Sequence, residues 1–221
     1  MIELKNISKI YKSEEVFYAL RDVNLKIQDG EFVAVTGPSG SGKSTLLNIL
    51  GFMDMFSEGQ YLFNGSDISS LSKTQIHMLR KQNISYIFQN FAMMGHYTIG
   101  ENVEIPLIAQ GMGRRSRKQK VRESLEKVGI LDQIDKLPAK VSGGQKQRCA
   151  IARALASGAG ILLADEPTGS LDSKSGEEIM NLFEQLHMEG KTIILVTHDP
   201  KIAEKADRII RVEDGFVYEN R

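Results

Sequence analysis

Apolar and polar residues alternate along two stretches at the start of the chain. The stretches are IELKNISKIY at 2–11 and VFYALRDVNLKI at 16–27, and a polar turn at 12–15 joins them. A period of two is typical of strands with one buried face. The pattern predicts two antiparallel strands that begin a sheet.

Beyond residue 30 the pattern changes to short apolar strands separated by helical segments. Further strands are predicted from Phe32, and at 61–63, 84–89, 161–164, 192–197 and 209–212. Helices are predicted up to about Leu50, and at 73–81, 99–109, 117–128, 142–157 and 174–188. Strands that alternate with helices predict a parallel sheet with helices on its faces.

The segment from about 90 to 139 differs, because it has helical spacing and few β-branched runs. We interpret it as part of an inserted helical subdomain over about 90–157. The expected organisation is a single α/β domain over 1–221, with a core and an N-terminal antiparallel β-subdomain made from 1–89 and 158–221.

Composition is that of an ordinary globular chain, with 41% hydrophobic and 25% charged residues among 221. The 28 Lys and Arg residues balance 28 Asp and Glu residues, so no overall positive field draws the chain to nucleic acid or anionic lipid. A basic run at 114–120 has no interleaved aromatic residues, and Glu123 and Glu126 follow it. A solvated helix face explains this run better than a nucleic-acid site.

Cysteine content and hydropathy bear on location. The single cysteine, Cys149, rules out an internal disulfide framework and suits a reducing compartment. No window approaches eighteen uninterrupted apolar residues, so we expect that the chain does not span a membrane by itself.

The strongest chemical signal is FVAVTGPSGSGKSTLLNIL at 32–50, where a strand, a glycine-rich loop and a helix follow one another. Gly37, Gly42, Lys43 and Ser44 fit the P-loop pattern GxxxxGK[ST]. Glycines let backbone N–H groups turn toward a phosphate, lysine adds a cation, and the Ser44 hydroxyl can ligate Mg²⁺. The stretch predicts a P-loop nucleoside triphosphate site, whose expected contacts are Gly37, Ser39, Gly40, Ser41, Gly42, Lys43, Ser44 and Thr45.

A second signal is ILLADEP, where an apolar strand leads into Asp165 and Glu166. Ligands of open α/β sheets bind at the carboxyl ends of strands. We expect Asp165 to help hold Mg²⁺ and Glu166 to polarise the attacking water. His198 ends the next strand in a similar polar tip, although a histidine in such a place is more often structural.

A third signal is the segment Ser142-Gly143-Gly144-Gln145 before the amphipathic stretch KQRCAIARALA. Ser142 is a good N-cap, and the glycines open the backbone for anion binding. The alternative is a capped helix with nothing bound. Since the P-loop already holds one triphosphate, we infer that two chains face head to tail and pair each loop with the other chain's segment.

These motifs, in this order, resemble those of ATP-binding cassette (ABC) ATPases over nearly the full chain. The resemblance implies a P-loop NTPase core, a role for Tyr11 in stacking on adenine, for Gln89 in sensing Mg²⁺ and contacting a membrane partner, and for residues 142–145 as the signature motif. It also implies that the loop at 170–172 communicates across the dimer and that His198 contacts the γ-phosphate. Phe17 and Tyr18 lie near Tyr11, and strand register decides which ring reaches the base.

Two residues depart from the family pattern: Val141 replaces the usual leucine of the signature, and Cys149 stands where a small aliphatic residue is common. Within the family, YIFQNF, ENVEIPL and LLADEPTGSLDS are most similar to the macrolide-exporter and lipoprotein-release type. That likeness implies a cassette homodimer on the cytoplasmic face of the cell membrane, a permease partner, and a periplasmic or extracellular adaptor as a further candidate. A macrolide, an antimicrobial peptide and a lipoprotein remain alternatives as cargo.

Two alternatives remain. One is a soluble ABC ATPase of DNA repair or translation, but the roughly fifty residues between Gln89 and Ser142 are too few for the long coiled-coil arm of those chains. The other is a non-catalytic module that scaffolds a membrane complex, as in division-associated relatives. The complete pair of Asp165 and Glu166, together with His198, argues against lost catalysis.

Overall fold

The computed structural model describes residues 1–12 and 16–220. The strands, in chain order, are β1 Ile2–Lys12, β2 Val16–Ile27, β3 Phe32–Thr36, β4 Glu58–Phe63, β5 Ser66–Asp67, β6 Ile84–Ile87, β7 Ile161–Asp165, β8 Thr192–Val196, β9 Arg208–Glu213 and β10 Phe216–Asn220. The α-helices are α1 Lys43–Leu50, α2 Lys73–Asn83, α3 Ile99–Ala109, α4 Arg114–Lys127, α5 Gly143–Ala156, α6 Ser173–Met188 and α7 Pro200–Ala203. Short 3₁₀ turns occupy Ile68–Ser70, Leu131–Gln133 and Pro138–Lys140.

Residue contacts divide the chain into two compact units, Met1–Arg80 with Leu186–Arg221 and Lys81–Gln185. The division into 1–89 with 158–221 and 90–157 therefore stays a prediction. No described helix has both the length and the apolar character needed to cross a bilayer.

The first unit contains an antiparallel sheet in the order β2-β1-β4-β5. The predicted strands 2–11 and 16–27 are confirmed, while 13–15 of the turn between them lie outside the described residues. In the same unit β3 pairs in parallel with both β8 and β9. Strand β3 thus has a paired strand on each edge, and its residues Phe32, Val33, Ala34 and Val35 are fully buried, as is usual in a parallel sheet with both faces covered.

In the second unit β6 and β7 form a parallel pair, and α3, α4 and α5 pack against one another. Helix α5 buries Ala150, Ala152, Ala154 and Ala156, whose small side chains allow neighbouring elements to approach closely. Thr98 and Glu101 form a capping box that fixes the start of α3. The predicted α3 over 99–109 is confirmed.

Several predicted boundaries were wrong. The strand expected over 84–89 ends at Ile87, so Gln89 lies in a turn instead of a strand end. Helix α4 begins at Arg114 rather than Arg117, and β4 begins at Glu58 rather than Tyr61. Strand β10 was missed, although Asp214 and Gly215 before it have φ values of 50° and 83°, as a two-residue hairpin turn requires.

Candidate functional site

The loop between β3 and α1 has a backbone that only glycine allows at two positions. Gly37 has a φ of +142°, and a Cβ there would lie 2.0 Å from the Val212 carbonyl oxygen. Gly42 has a φ of +111°, and a Cβ there would lie 2.4 Å from the Ala19 carbonyl oxygen. The neighbouring strands and the left-handed backbone thus both require glycine, and the loop keeps the open course that phosphate binding needs.

Two polar groups belong to this loop, the ammonium of Lys43 and the hydroxyl of Ser41. Lys43 Nζ donates to the Gly37 carbonyl at 2.9 Å and to the Pro38 carbonyl at 2.7 Å, so the ammonium lies across the loop. The Ser41 hydroxyl is buried and has no hydrogen-bond partner among the described residues. A buried donor without a partner is costly, so the loop fits an oxygen-rich anion such as a phosphate. Ser44 is exposed in the first turn of α1, where its hydroxyl can ligate a cation.

His198 follows β8 and lies beside the start of the phosphate loop. It lines a cavity of about 360 Å³ together with Thr36, Gly37 and Pro38. The reason is topological: β8 runs parallel to β3, and Thr197 N donates to the Val35 carbonyl at 3.1 Å. The two strands therefore end side by side, which places His198 beside the phosphate loop, while its contact with the γ-phosphate stays a prediction.

The three aromatic residues that are candidates for the base contact lie on two different faces of the sheet of β1 and β2. Tyr11 pairs with Phe17 across β1 and β2, whereas Tyr18 pairs with Ile10. Residues directly opposite each other share a face of the sheet, so Tyr11 and Phe17 lie on one face and Tyr18 on the other.

Phe17 and Tyr18 line a second cavity, of about 410 Å³, which also includes Gly40 and Ser41 of the phosphate loop. Tyr11 is exposed and donates its hydroxyl to Asp54 Oδ2 at 3.1 Å. The assignment of Tyr11 to the base stays a prediction.

Asp165 is the last residue of β7 in the second unit, and Glu166 follows with a φ of +47°. A non-glycine residue in the left-handed region is uncommon and is often found where function constrains the backbone. The turn is closed by Gly169 N, which donates to the Glu166 carbonyl at 3.0 Å. Burial, and then the charge of Asp165, raise the pKa of Tyr86 on the neighbouring strand β6.

Gln89 contacts the loop that follows Glu166. Ser170 Oγ donates to the Gln89 carbonyl at 3.4 Å, and a Cβ at Gly169 would lie 2.9 Å from Gln89 Nε2. The two segments are 80 residues apart in sequence but adjacent because β6 and β7 are paired. The structure thus brings Gln89 together with the loop predicted to communicate across a dimer.

Ser142 and Gln145 form a capping box at the start of α5. Gln145 N donates to Ser142 Oγ at 3.2 Å, and Ser142 N donates to Gln145 Oε1 at 2.9 Å. Cβ atoms at Gly143 and Gly144 would meet Leu171 and Ser175 at 3.3 Å and 3.2 Å. The predicted N-cap is observed, and the S-x-x-Q spacing was a signal for the reciprocal bond that the sequence reasoning missed.

Arg153 was also missed. Its guanidinium donates to the Ala92 carbonyl at 2.6 Å and to the Phe91 carbonyl at 2.8 Å. Phe91 and Ala92 have positive φ values of 62° and 45°. The side chain therefore connects α5 to the segment just after Gln89, and sequence periodicity gives no signal for such a contact.

Comparison with known proteins agrees with these features. The family model described as ABC transporter matches residues 20–169. The macrolide export ATP-binding/permease protein MacB of Salmonella choleraesuis is 47% identical over all of this chain, which spans only 34% of the length of that relative. An uncharacterized ABC transporter ATP-binding protein of Bacillus subtilis, YvrO, is 48% identical over 97% of this chain and 94% of its own length.

Solved structures show the same fold. A dimeric structure of the ATP-binding cassette MJ0796, in a post-hydrolysis state bound to ADP and Pi, is 43% identical and covers 100% of this chain and 98% of its own. Its TM-score of 0.91 confirms the α/β P-loop NTPase fold predicted from the sequence. The chain belongs to the ABC transporter family, as an ATP-binding cassette.

Proposed function

We propose that this chain hydrolyses ATP as a homodimer and drives a membrane permease from the cytoplasmic face of the cell membrane. The phosphate loop is the observation that carries this proposal. Gly37, Gly42 and Lys43 support a phosphate site there, as does the buried Ser41 hydroxyl, which has no partner in the part of the chain that the structure describes. The solved dimer of the similar cassette MJ0796, with ADP and Pi bound, supports closure of two chains around nucleotide.

Export is the proposed direction, and a permease is the proposed partner. The name of MacB describes it as both an ATP-binding protein and a permease. This chain spans only 34% of the length of MacB. A separate permease chain, or a permease segment fused to this one, can supply the remaining function. The proposed cargo is a drug, an antimicrobial peptide or a lipoprotein, and an adaptor outside the membrane is a further proposed partner.

In the proposed reaction, Glu166 accepts a proton from the water that attacks the γ-phosphorus in line, and ADP leaves with its β-phosphate oxygen. Lys43 and backbone N–H groups of 39–45 stabilise the charge that develops on the phosphoryl oxygens. His198 positions the γ-phosphate.

Three further roles complete the proposed site. Ser142–Gln145 of the second chain contact the same nucleotide. Ser44, Gln89 and Asp165 would hold Mg²⁺, which neutralises phosphate charge when bound. Tyr11 stacks on adenine.

The test uses Glu166→Gln, which keeps the size of the side chain and removes the proposed base. With ATP we expect a stable dimer by light scattering and an ATPase rate lowered at least about 100-fold, the lower end of a general-base contribution. Lys43→Ala is the matched control, which should neither dimerise nor hydrolyse. A Glu166→Gln variant with wild-type turnover would refute the assignment of the base.

The partner is tested with the same trapped variant. We would purify Glu166→Gln with ATP from detergent-solubilised native membranes and identify stoichiometric companions by mass spectrometry. A membrane protein with few spans and a large outer domain is the expected result. Recovery of nucleic acid or only soluble proteins would overturn the transport proposal and favour a repair-type machine.

A further inference from the structure

The hydroxyl and one face of the Tyr11 ring are held by two side chains that neither the sequence motifs nor the proposed mechanism uses. Tyr11 donates its hydroxyl to Asp54 Oδ2 at 3.1 Å. Lys9 Nζ lies 4.9 Å from the centre of the ring, over its face. Tyr11 as a residue is 42% exposed, so part of the side chain is accessible to a ligand.

Lys9 and Asp54 form an ion pair of good geometry. Lys9 Nζ donates to Asp54 Oδ1 at 2.8 Å and to the Met55 carbonyl at 2.7 Å. The Lys9 side chain is only 12% exposed, so this ammonium is shielded from water more than that of a surface pair. Partial burial acts to raise the pKa of Asp54, but hydrogen bonds from Lys9, Met55 N–H and Tyr11 outweigh it and keep the pKa below its usual value.

Asp54 is in turn fixed to the helix that begins at the phosphate loop. Met53 N and Asp54 N both donate to the Asn48 carbonyl, at 2.8 Å and 3.2 Å. Helix α1 runs from Lys43 to Leu50 and is about 12 Å long at the usual rise per residue. Asp54 therefore ties the Tyr11 ring to the same rigid element that carries the phosphate loop.

The backbone around Tyr11 is tied to the same loop. Ile10 N donates to Ser57 Oγ at 2.9 Å, and Ser57 N donates to the Ser8 carbonyl at 2.8 Å. The end of β1 is thus held on the loop after α1 through both backbone and side-chain bonds. The loop after α1 therefore acts together with the partner strand β2 to fix the position of the ring.

We propose that Lys9 and Asp54 are positioning residues for the Tyr11 ring, and that they fix the distance and the face at which the ring meets a nucleobase. The inference rests on the proposed role of Tyr11 as the base contact. Since Lys9 covers one face, the base stacks on the opposite face. The pair then affects the affinity for the base and leaves the affinity for the phosphates unchanged.

The experiment compares two ligands, Mg·ATP and Mg·tripolyphosphate, by isothermal titration calorimetry. Asp54→Asn keeps the shape and removes the charge that Lys9 pairs with, and Tyr11→Ala removes the ring. The matched control is Glu3→Gln, which removes a neighbouring ion pair on the same strand, with Lys5 at 3.6 Å. Thermal unfolding of each variant checks that the fold is retained.

We expect Asp54→Asn to weaken ATP binding about 3- to 10-fold, in the usual range for coupled neighbours, with tripolyphosphate binding unchanged. The double variant with Tyr11→Ala should bind ATP no more weakly than Tyr11→Ala alone, because Asp54 acts through the ring. Glu3→Gln should bind both ligands as the wild type does.

Four results would overturn the inference. An equal loss for tripolyphosphate would mean that Asp54 shapes the phosphate loop, and additive losses in the double variant would mean that it acts apart from the ring. Unchanged ATP binding by Asp54→Asn, together with weak binding by Tyr11→Ala, would remove the inference and leave the proposed base contact standing. If Tyr11→Ala itself binds ATP as the wild type does, the proposed base contact fails and the inference fails with it.

Discussion

Replacing Arg153 with methionine should destabilise the second unit, because the guanidinium is the donor to two backbone carbonyls. Methionine keeps most of the apolar stem and removes both hydrogen bonds, to Phe91 at 2.8 Å and to Ala92 at 2.6 Å. Those carbonyls belong to residues with φ of 62° and 45°, which are held in a costly left-handed conformation. Without the donor, this segment can relax away from α5.

The expected loss follows from opposing contributions. Each hydrogen bond from a charged donor contributes about 1.5–3 kcal/mol, so the two together set an upper bound of about 3–6 kcal/mol. Burial lowers the pKa of Arg153, which shows that desolvation of the guanidinium opposes these bonds. If Phe91 and Ala92 leave the left-handed conformation in the variant, the relief of that strain offsets a further part of the lost stability. We therefore expect a net decrease of about 2–4 kcal/mol in the free energy of unfolding.

The assay is urea denaturation followed by circular dichroism, since the chain has no tryptophan. Arg153→Lys should lose about half as much, because an ammonium keeps the charge but lacks the planar fork. Arg122→Met, at an exposed position of α4, controls for the loss of a positive charge. Hydrogen exchange of the amides at 88–93 should rise in Arg153→Met. A stability within about 0.5 kcal/mol of the wild type would refute the reasoning, since that is the size of an ordinary surface change.

Three further predictions concern the first and second units separately. Gly42→Ala should abolish ATP binding in a filter or calorimetric assay, because its Cβ would lie 2.4 Å from the Ala19 carbonyl oxygen at a φ of +111°; retained affinity would contradict this. Burial raises the pKa of the Cys149 thiol to about 12, so iodoacetamide at pH 8 should label the unfolded chain and spare the folded one. The pKa of Asp54 is lowered on folding, so its pairing with Lys9 stabilises the folded chain at pH values above the unfolded pKa. This contribution is lost as the pH falls below about 4. Asp54→Asn should therefore flatten the acid side of a plot of unfolding free energy against pH.

Elements and chemistry that depend on local pattern could be predicted from the sequence. The alternation at 2–11 and 16–27 gave the antiparallel strands, and the spacing of Gly37, Gly42 and Lys43 located the phosphate loop. The end of β6 could not be placed, since Phe88 continues the apolar run although the chain already turns after Ile87. Burial pattern alone does not show where backbone pairing stops.

Contacts between distant segments could not be predicted for a different reason. Gly37 needs to be glycine because the Val212 carbonyl passes beside it, 175 positions later in the chain. Lys9 meets Asp54 only because the chain after α1 returns to the end of β1. A single sequence records residue types and spacings, whereas these contacts depend on how strands from distant positions pair.

Strained backbone points to the same segments as the motifs do, and it does so independently. Asn6, Asp22, Asn64 and Asp214 have positive φ values, but asparagine and aspartate tolerate that conformation in turns. The other described non-glycine residues with positive φ are Phe52, Phe91, Ala92 and Glu166.

In each of these four residues, the backbone carbonyl accepts a hydrogen bond from another residue. Arg80 Nη1 donates to the Phe52 carbonyl at 3.1 Å, just as Arg153 donates to Phe91 and Ala92, and Gly169 N donates to the Glu166 carbonyl at 3.0 Å. Strain that costs about 1–3 kcal/mol per residue persists only where surrounding bonds hold it. Phe52 precedes Asp54, the next pair follows Gln89, and Glu166 is the proposed base. The bonds that hold these carbonyls therefore help to fix the backbone next to Asp54, Gln89 and Glu166, which a motif alone would not indicate.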